Sequence, residues 1–205
     1  MADERTVAYI VRHGTTKMNE ENRYRGQKNV PLDDKGKNDA KELAKFFADK
    51  EIGQAYSSPL ARATDTAKEV LKSKHIKAVK ERGLLPLDAG KFTGMKKDDA
   101  KADMTYYHDH TSERIPGGES IDGMHKRVRP ALFRALRAGL RSGKPSLISA
   151  HSSVIHSLGA ILYEDHKAAL VEPGGVVKVS FDGKKFNAVP ILKPKQEKEQ
   201  SAYAS

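Results

Sequence analysis

The sequence predicts an α/β fold organised around a buried sheet, and three observations carry that reading. Two apolar runs, at positions 7–11 and 146–150, each end at a histidine, His13 and His151. Apolar on both faces, such runs read as strands covered on both sides. Between and after them, stretches with a helical apolar period alternate with short extended pieces. Open α/β sheets bind ligands beyond the carboxyl ends of their strands, so the two histidines mark where chemistry is expected.

The first strand ends in Arg12, His13 and Gly14. Neighbouring side chains of a regular strand point to opposite faces, so the chain must turn at His13. Gly14 then reads as the position where a side chain would block a ligand. An arginine beside a histidine at a strand's mouth suggests a phosphate held by a guanidinium fork and attacked by a ring nitrogen.

Bulk properties narrow the partners. With 205 residues and 38% hydrophobic content, the chain can bury one sizeable core, as one domain or one domain with a small insertion. Its 37 Lys and Arg against 27 Asp and Glu leave a net charge of +10. Focused on a cleft, such an excess raises encounter rates with anions by roughly 10 to 10³. The lysines are spread along the chain, and no zinc-finger spacing, RNA-binding aromatic motif or heptad basic region is present. Sequence-specific nucleic-acid binding is therefore not expected. The lack of cysteine excludes disulfides, thiol catalysis and cysteine metal sites. Residues 1–5 mix acid and base and lead into only five consecutive apolar residues, which is neither a signal peptide nor a membrane span. A cytoplasmic protein is the expectation.

After the first strand, 16–32 is polar and basic, carrying Asn19, Arg23, Arg25 and Gly26, and a loop this long is usually functional or disordered. Ala40, Leu43, Ala44 and Phe47 then form one helical face, capped by Asp33 or Asp34. A short strand at 53–56 leads to Ser57-Ser58-Pro59-Leu60, where Pro59 suits the first turn of a helix and a serine its cap. Arg62 falls in that first turn, where free N–H groups already favour an anion. Weak extended pieces are expected at 76–79 and 84–87. Positions 88–118 read as an irregular cap insertion, and His108-Asp109-His110 within it as an exposed pair with no third ligand at metal spacing.

Glu119-Ser120 opens a helix with Met124, Val128, Leu132 and Ala135 on its core stripe, which Pro130 should kink or split. The strand at 146–150 is followed at once by another helix. Asp182-Gly183 signals a hairpin between 176–181 and 186–191. The tail, 193–205, is charged and expected to be disordered, which makes 1–192 the catalytic domain. If the two histidine-ended strands are neighbours, His13 and His151 converge.

These pieces resemble the histidine phosphatase superfamily, the group that includes the cofactor-dependent phosphoglycerate mutases. The matching segments are Arg12-His13-Gly14-Thr15 with Asn19, Arg23-Tyr24-Arg25-Gly26, Ser57-Ser58-Pro59-Leu60-Ala61-Arg62, Pro116-Gly117-Gly118-Glu119-Ser120 and Ala150-His151-Ser152. They stand in family order. The resemblance implies a three-layer α/β/α sandwich with a mostly parallel central sheet and an inserted cap. It further implies that His13 is phosphorylated, that Arg12, Arg62 and His151 cradle the phosphoryl group, and that Asn19, Arg25, Glu119 and Ser152 lie about the substrate. No metal or cofactor is called for, because guanidinium forks supply the charge that stabilises a phosphoryl group in flight.

The match departs from the family in one chemically important place. The glutamate that usually protonates the leaving alcohol, four residues before a glycine, is replaced by Pro86. Asp88, two residues on and on the same face of an extended chain, is the expected general acid, with Glu119 as alternative. Arg25 stands where the family often has Gln, and Ser152 where it often has Gly. The expected activity is metal-independent hydrolysis of a small phosphorylated metabolite through a phosphohistidine. The alternatives are a phosphoglycerate mutase-type phosphotransferase and a catalytically impaired phosphate-binding protein.

Overall fold

A computed structural model of the chain describes residues 4–165 and 169–192. The apolar run becomes strand β1 (Arg5–Arg12), followed by a single helical turn, α1 (Lys17–Glu20), and helix α2 (Asp34–Phe46). Asp33 caps α2 by accepting the Gly36 N–H at 2.7 Å. Then come β2 (Gln54–Ser57), α3 (Ala61–Leu71), β3 (Ala78–Lys80), α4 (Lys101–Asp109) and α5 (Ile121–Ser142). The last elements are β4 (Ser146–Ala150), α6 (Ser152–Tyr163) and the hairpin β5 (Val176–Phe181) and β6 (Phe186–Leu192).

The strands form one sheet in the order β3-β2-β4-β1-β5-β6. β3, β2, β4 and β1 run parallel, and β5 and β6 close the other edge antiparallel. Helices α2 and α3 pack one face through Leu43, Phe47, Val70 and Leu71. Helices α5 and α6 cover the other through Val128, Leu132, Leu136, Val154 and Ile155. The result is the three-layer sandwich that the resemblance implies.

Several local expectations are revised. Gly14 is small because of backbone packing, not ligand access: a Cβ there would lie 2.4 Å from the carbonyl oxygen of Gly36, in the first turn of α2. Helix α3 begins two residues after Pro59 with Leu60 as its cap and no side-chain cap hydrogen bond, because both serines are used elsewhere. Ser57 Oγ donates to the Ser58 carbonyl at 2.8 Å, and Ser58 Oγ reaches His151. α5 continues through Pro130 to Ser142 without splitting. The stretch 88–118 is not irregular throughout. It holds α4 and a small core of Ala89, Phe92, Ala100, Met104 and Ile115. The charged tail lies outside the described residues. No helix among the described residues is long and apolar enough to cross a membrane.

Candidate active site

Strand register builds the site. Arg12 pairs with Ala150 across the β1–β4 ladder, and His13 N–H donates to the Ala150 carbonyl at 3.0 Å, so the next residue of each strand emerges at one level. The rings of His13 and His151 accordingly stand 5.1 Å apart, centroid to centroid, at 61°. β2 lies on the other side of β4, and Ser58 N–H continues its ladder to the Ser149 carbonyl at 3.0 Å. That places Ser58 Oγ 2.8 Å from His151 Nε2.

His13 has a determined tautomer. Its Nδ1 lies 2.6 Å from the Gly14 carbonyl oxygen, which can only accept, so Nδ1 carries the proton and Nε2 holds a free lone pair. The ring is 1% exposed. Burial, then the charges of Arg62, Arg25 and Arg12, hold its pKa well below the ordinary imidazole value, against the opposing pull of the Gly14 carbonyl. His151 is also held well below that value by burial, then by Arg62, His13, Arg25 and Arg12. Both rings are therefore neutral at pH 7.

Arg62 is the largest fully buried side chain of the described residues. Its Nη1 donates to the Lys28 carbonyl at 2.8 Å and its Nη2 to that of Gly26 at 3.1 Å, which ties the 26–28 loop to the start of α3. Burial and the charge of Arg25 draw its pKa down to about 9, and burial with the charge of Arg12 draws Arg25 down to about 10, so both remain cations. Arg12 donates from Nη1 to the Val171 carbonyl at 2.8 Å and pairs at 3.6 Å with Glu172, whose side chain is 60% exposed. That contact is long and wet, and is worth little against a bound anion.

Arg12 Nε, Arg25 Nη1, Arg62 Nε and His151 Nδ1 are buried with no hydrogen-bond partner. Leaving one such group unmade costs about 1–3 kcal/mol, more when it is charged. The three guanidiniums lie close enough to act on both imidazoles. Together these nitrogens fit an anion with several oxygens.

A cavity of about 290 Å³ opens over this cluster. His13, Arg25, Arg62, His151 and Ser152 line it, together with Arg23, Tyr24, Lys97, His108, His125 and His156. Arg12, Asn19, Asp88 and Glu119 do not line it. Asn19 Oδ1 accepts from Thr16 Oγ1 at 2.8 Å and from its N–H at 3.1 Å, which fixes the turn after β1. Asp88, the expected general acid, accepts the Gly90 N–H on Oδ1 at 3.2 Å at a 3₁₀ turn, Gly90–Phe92. Glu119 accepts from the Asp88 N–H at 2.9 Å and is gripped by Arg127, 2.5 Å from Nη2 and 2.9 Å from Nε. It is a structural carboxylate held by a cation.

Sequence reasoning missed Ser58, whose hydroxyl was assigned to capping, and it missed Lys97, His125 and His156. Only the helical spacing of His156 from Ser152 and Ser153 hinted at a shared face. His108 lines the cavity rather than pairing with His110, which stacks on Tyr106 at 4.2 Å.

The model of the histidine phosphatase superfamily (branch 1) matches residues 8–191. The chain belongs to this superfamily. Within this superfamily it resembles a 2,3-bisphosphoglycerate-dependent phosphoglycerate mutase of Rhizobium rhizogenes, 31% identical over 163 residues, which are 75% of this chain and 77% of the relative. The mutase of the same description from Azorhizobium caulinodans is 27% identical over 82% of this chain and 84% of its own. Among solved structures, phosphoglycerate mutase from Bacillus anthracis superposes with a TM-score of 0.80 at 23% identity, covering 93% of this chain and 94% of that one. A mycobacterial glucosyl-3-phosphoglycerate phosphatase solved with VO3 gives 0.76 at 21% identity, covering 93% and 100%. At those identities the two structures speak for the fold. Mutases and phosphatases share it.

Proposed function

We propose that this protein is a metal-independent phosphomonoesterase that works through a phosphohistidine at His13. The observation that carries the reading is the neutral, tautomer-fixed His13 Nε2 beside buried guanidinium and imidazole nitrogens that lack partners. His13 Nε2 attacks phosphorus while Arg12, Arg25, Arg62 and His151 Nδ1–H bind the equatorial oxygens, where charge collects. The Ser58 hydroxyl can donate to His151 Nε2, and in that tautomer the proton sits on His151 Nδ1, which makes that atom a donor. Water then releases phosphate from His13, so one difficult displacement becomes two easier ones.

Hydrolysis is favoured over mutase chemistry by solvent access. His108 lines the cavity and is exposed, whereas a mutase must keep its phosphohistidine from water. The cavity volume suits a small phosphorylated metabolite, and a cytoplasmic setting goes with that substrate class.

The test is phosphate release from p-nitrophenyl phosphate with chelator present. The expected result is turnover that survives chelation and falls on the order of 10⁴-fold or more in His13→Ala. Phosphate binding without turnover identifies a binding module instead. Interconversion of phosphoglycerates in the presence of bisphosphoglycerate, faster than hydrolysis, identifies a mutase.

A further inference from the structure

An alkoxide leaves phosphorus slowly unless a proton reaches it, and a positioned acid contributes about 10²–10⁴-fold. Among the described residues, no aspartate or glutamate lines the cavity. Pro86 does line it, at the position where a carboxylate is expected, with its carbonyl accepting from Gln27 Nε2 at 3.1 Å and Arg127 Nη2 at 2.7 Å. The nearest carboxylates along the chain, Asp88 and Glu119, are engaged by backbone and by Arg127.

The segment that holds Pro86 is tied to a specific helix face. Leu87 N–H donates to Ser153 Oγ at 3.1 Å, in the first turn of α6. Residues three apart on a helix are neighbours, with Cβ atoms about 5–6 Å apart. His156 is therefore the next residue along the face that Ser153 presents, and it lines the same cavity as Pro86, Leu87 and Ser153.

We propose that His156 is the proton donor to the leaving oxygen, an imidazole in place of the carboxylate that Pro86 excludes. In the first step His13 Nε2 bonds to phosphorus as the P–O bond to the alcohol breaks, and the His156 imidazolium passes its proton to the departing oxygen. In the second step neutral His156 takes a proton from water as that water bonds to phosphorus. The P–N bond breaks, phosphate leaves, and His156 is again protonated. The assignment rests on the phosphohistidine reading above.

The test compares esters of good and poor leaving groups in His156→Asn and His156→Gln, alongside His125→Asn and His108→Asn. In the His156 variants, kcat/KM for alkyl phosphates is expected to fall roughly 10²–10⁴-fold while p-nitrophenyl phosphate changes less than about threefold, a result that also shows the variant is folded. The proposal is overturned by an equal loss of kcat/KM on every ester, by no loss on any, or by the leaving-group dependence appearing in His125→Asn or His108→Asn instead. Quenching wild type in base reports separately on the reading beneath it. Absence of base-stable phosphohistidine removes that reading and the donor with it. A phosphoenzyme that forms, with an unchanged leaving-group dependence in the His156 variants, removes the donor alone.

Discussion

The mouth of the sheet and the cap above it are built by different physical means. At the mouth, reacting side chains are set by strand register, and His13, His151 and Arg62 are 1%, 2% and 1% exposed. In the cap, α4 buries only Met104, while His108 and most of its other residues face solvent. Chemistry that needs atoms placed to a fraction of an ångström is built on the rigid layer. The cap has a small core of its own, so it can change without disturbing the buried cluster beneath it.

The sharpest break of this contrast comes from Arg62. Arg62→Ala leaves phosphate charge unpaired and releases the 26–28 loop, and is expected to cost about 2–5 kcal/mol of transition-state binding. The kcat/KM for p-nitrophenyl phosphate should fall roughly 30- to 5,000-fold, and Arg62→Lys should not restore it, since a point charge cannot hold both carbonyls.

Next in size is the response to acid. Both buried histidines have folded pKa values well below 6.5, so below that pH the unfolded chain binds protons that the native chain does not. The stability they contribute is complete above about pH 6.5 and is lost as pH falls towards their folded values. The slope is up to about 1.4 kcal/mol per pH unit for each ring. Thermal melts between pH 7 and pH 5 should show a falling Tm, with a shallower fall in His151→Asn.

Hydrogen exchange addresses the contrast directly. Amides of α4 should exchange at least about tenfold faster than those of β4, whose five residues are all buried. Equal protection would show that cap and sheet open as one unit. The smallest effect expected is that of Asp88→Asn. The amide oxygen still accepts the Gly90 N–H but more weakly than a carboxylate, so stability should fall by about 1 kcal/mol or less, and the ratio of alkyl to p-nitrophenyl ester rates should stay unchanged, because Asp88 does not line the cavity.

The strands and most helices were legible because burial on both faces leaves an apolar run, and burial on one face leaves a period. His13 and His151 were legible as ends of such runs. Their meeting depended on the two strands being neighbours, which no local pattern states and the sheet order shows. The helix in the cap was missed because KADMTYYHD buries one residue and so has almost no stripe. Gly14 was misread because its constraint is the backbone of Gly36, remote in sequence. Asp88 was misread for the opposite reason: two residues after Pro86 an extended chain would return to the same face, but a 3₁₀ turn begins there and the carboxylate closes it. His125 carried no signal and His156 none beyond its spacing from Ser152 and Ser153, since a histidine on an amphipathic helix looks like any half-buried polar residue.

The position of β1 has a consequence for how the molecule is made. Its two partners in the sheet are β4 and β5, which begin at residues 146 and 176. During synthesis the apolar stretch that emerges first waits for roughly three quarters of the chain before it finds its neighbours. Such long-range pairing makes folding slow and exposes a sticky segment meanwhile. A nascent chain of this protein should therefore depend on holding factors until its last third appears.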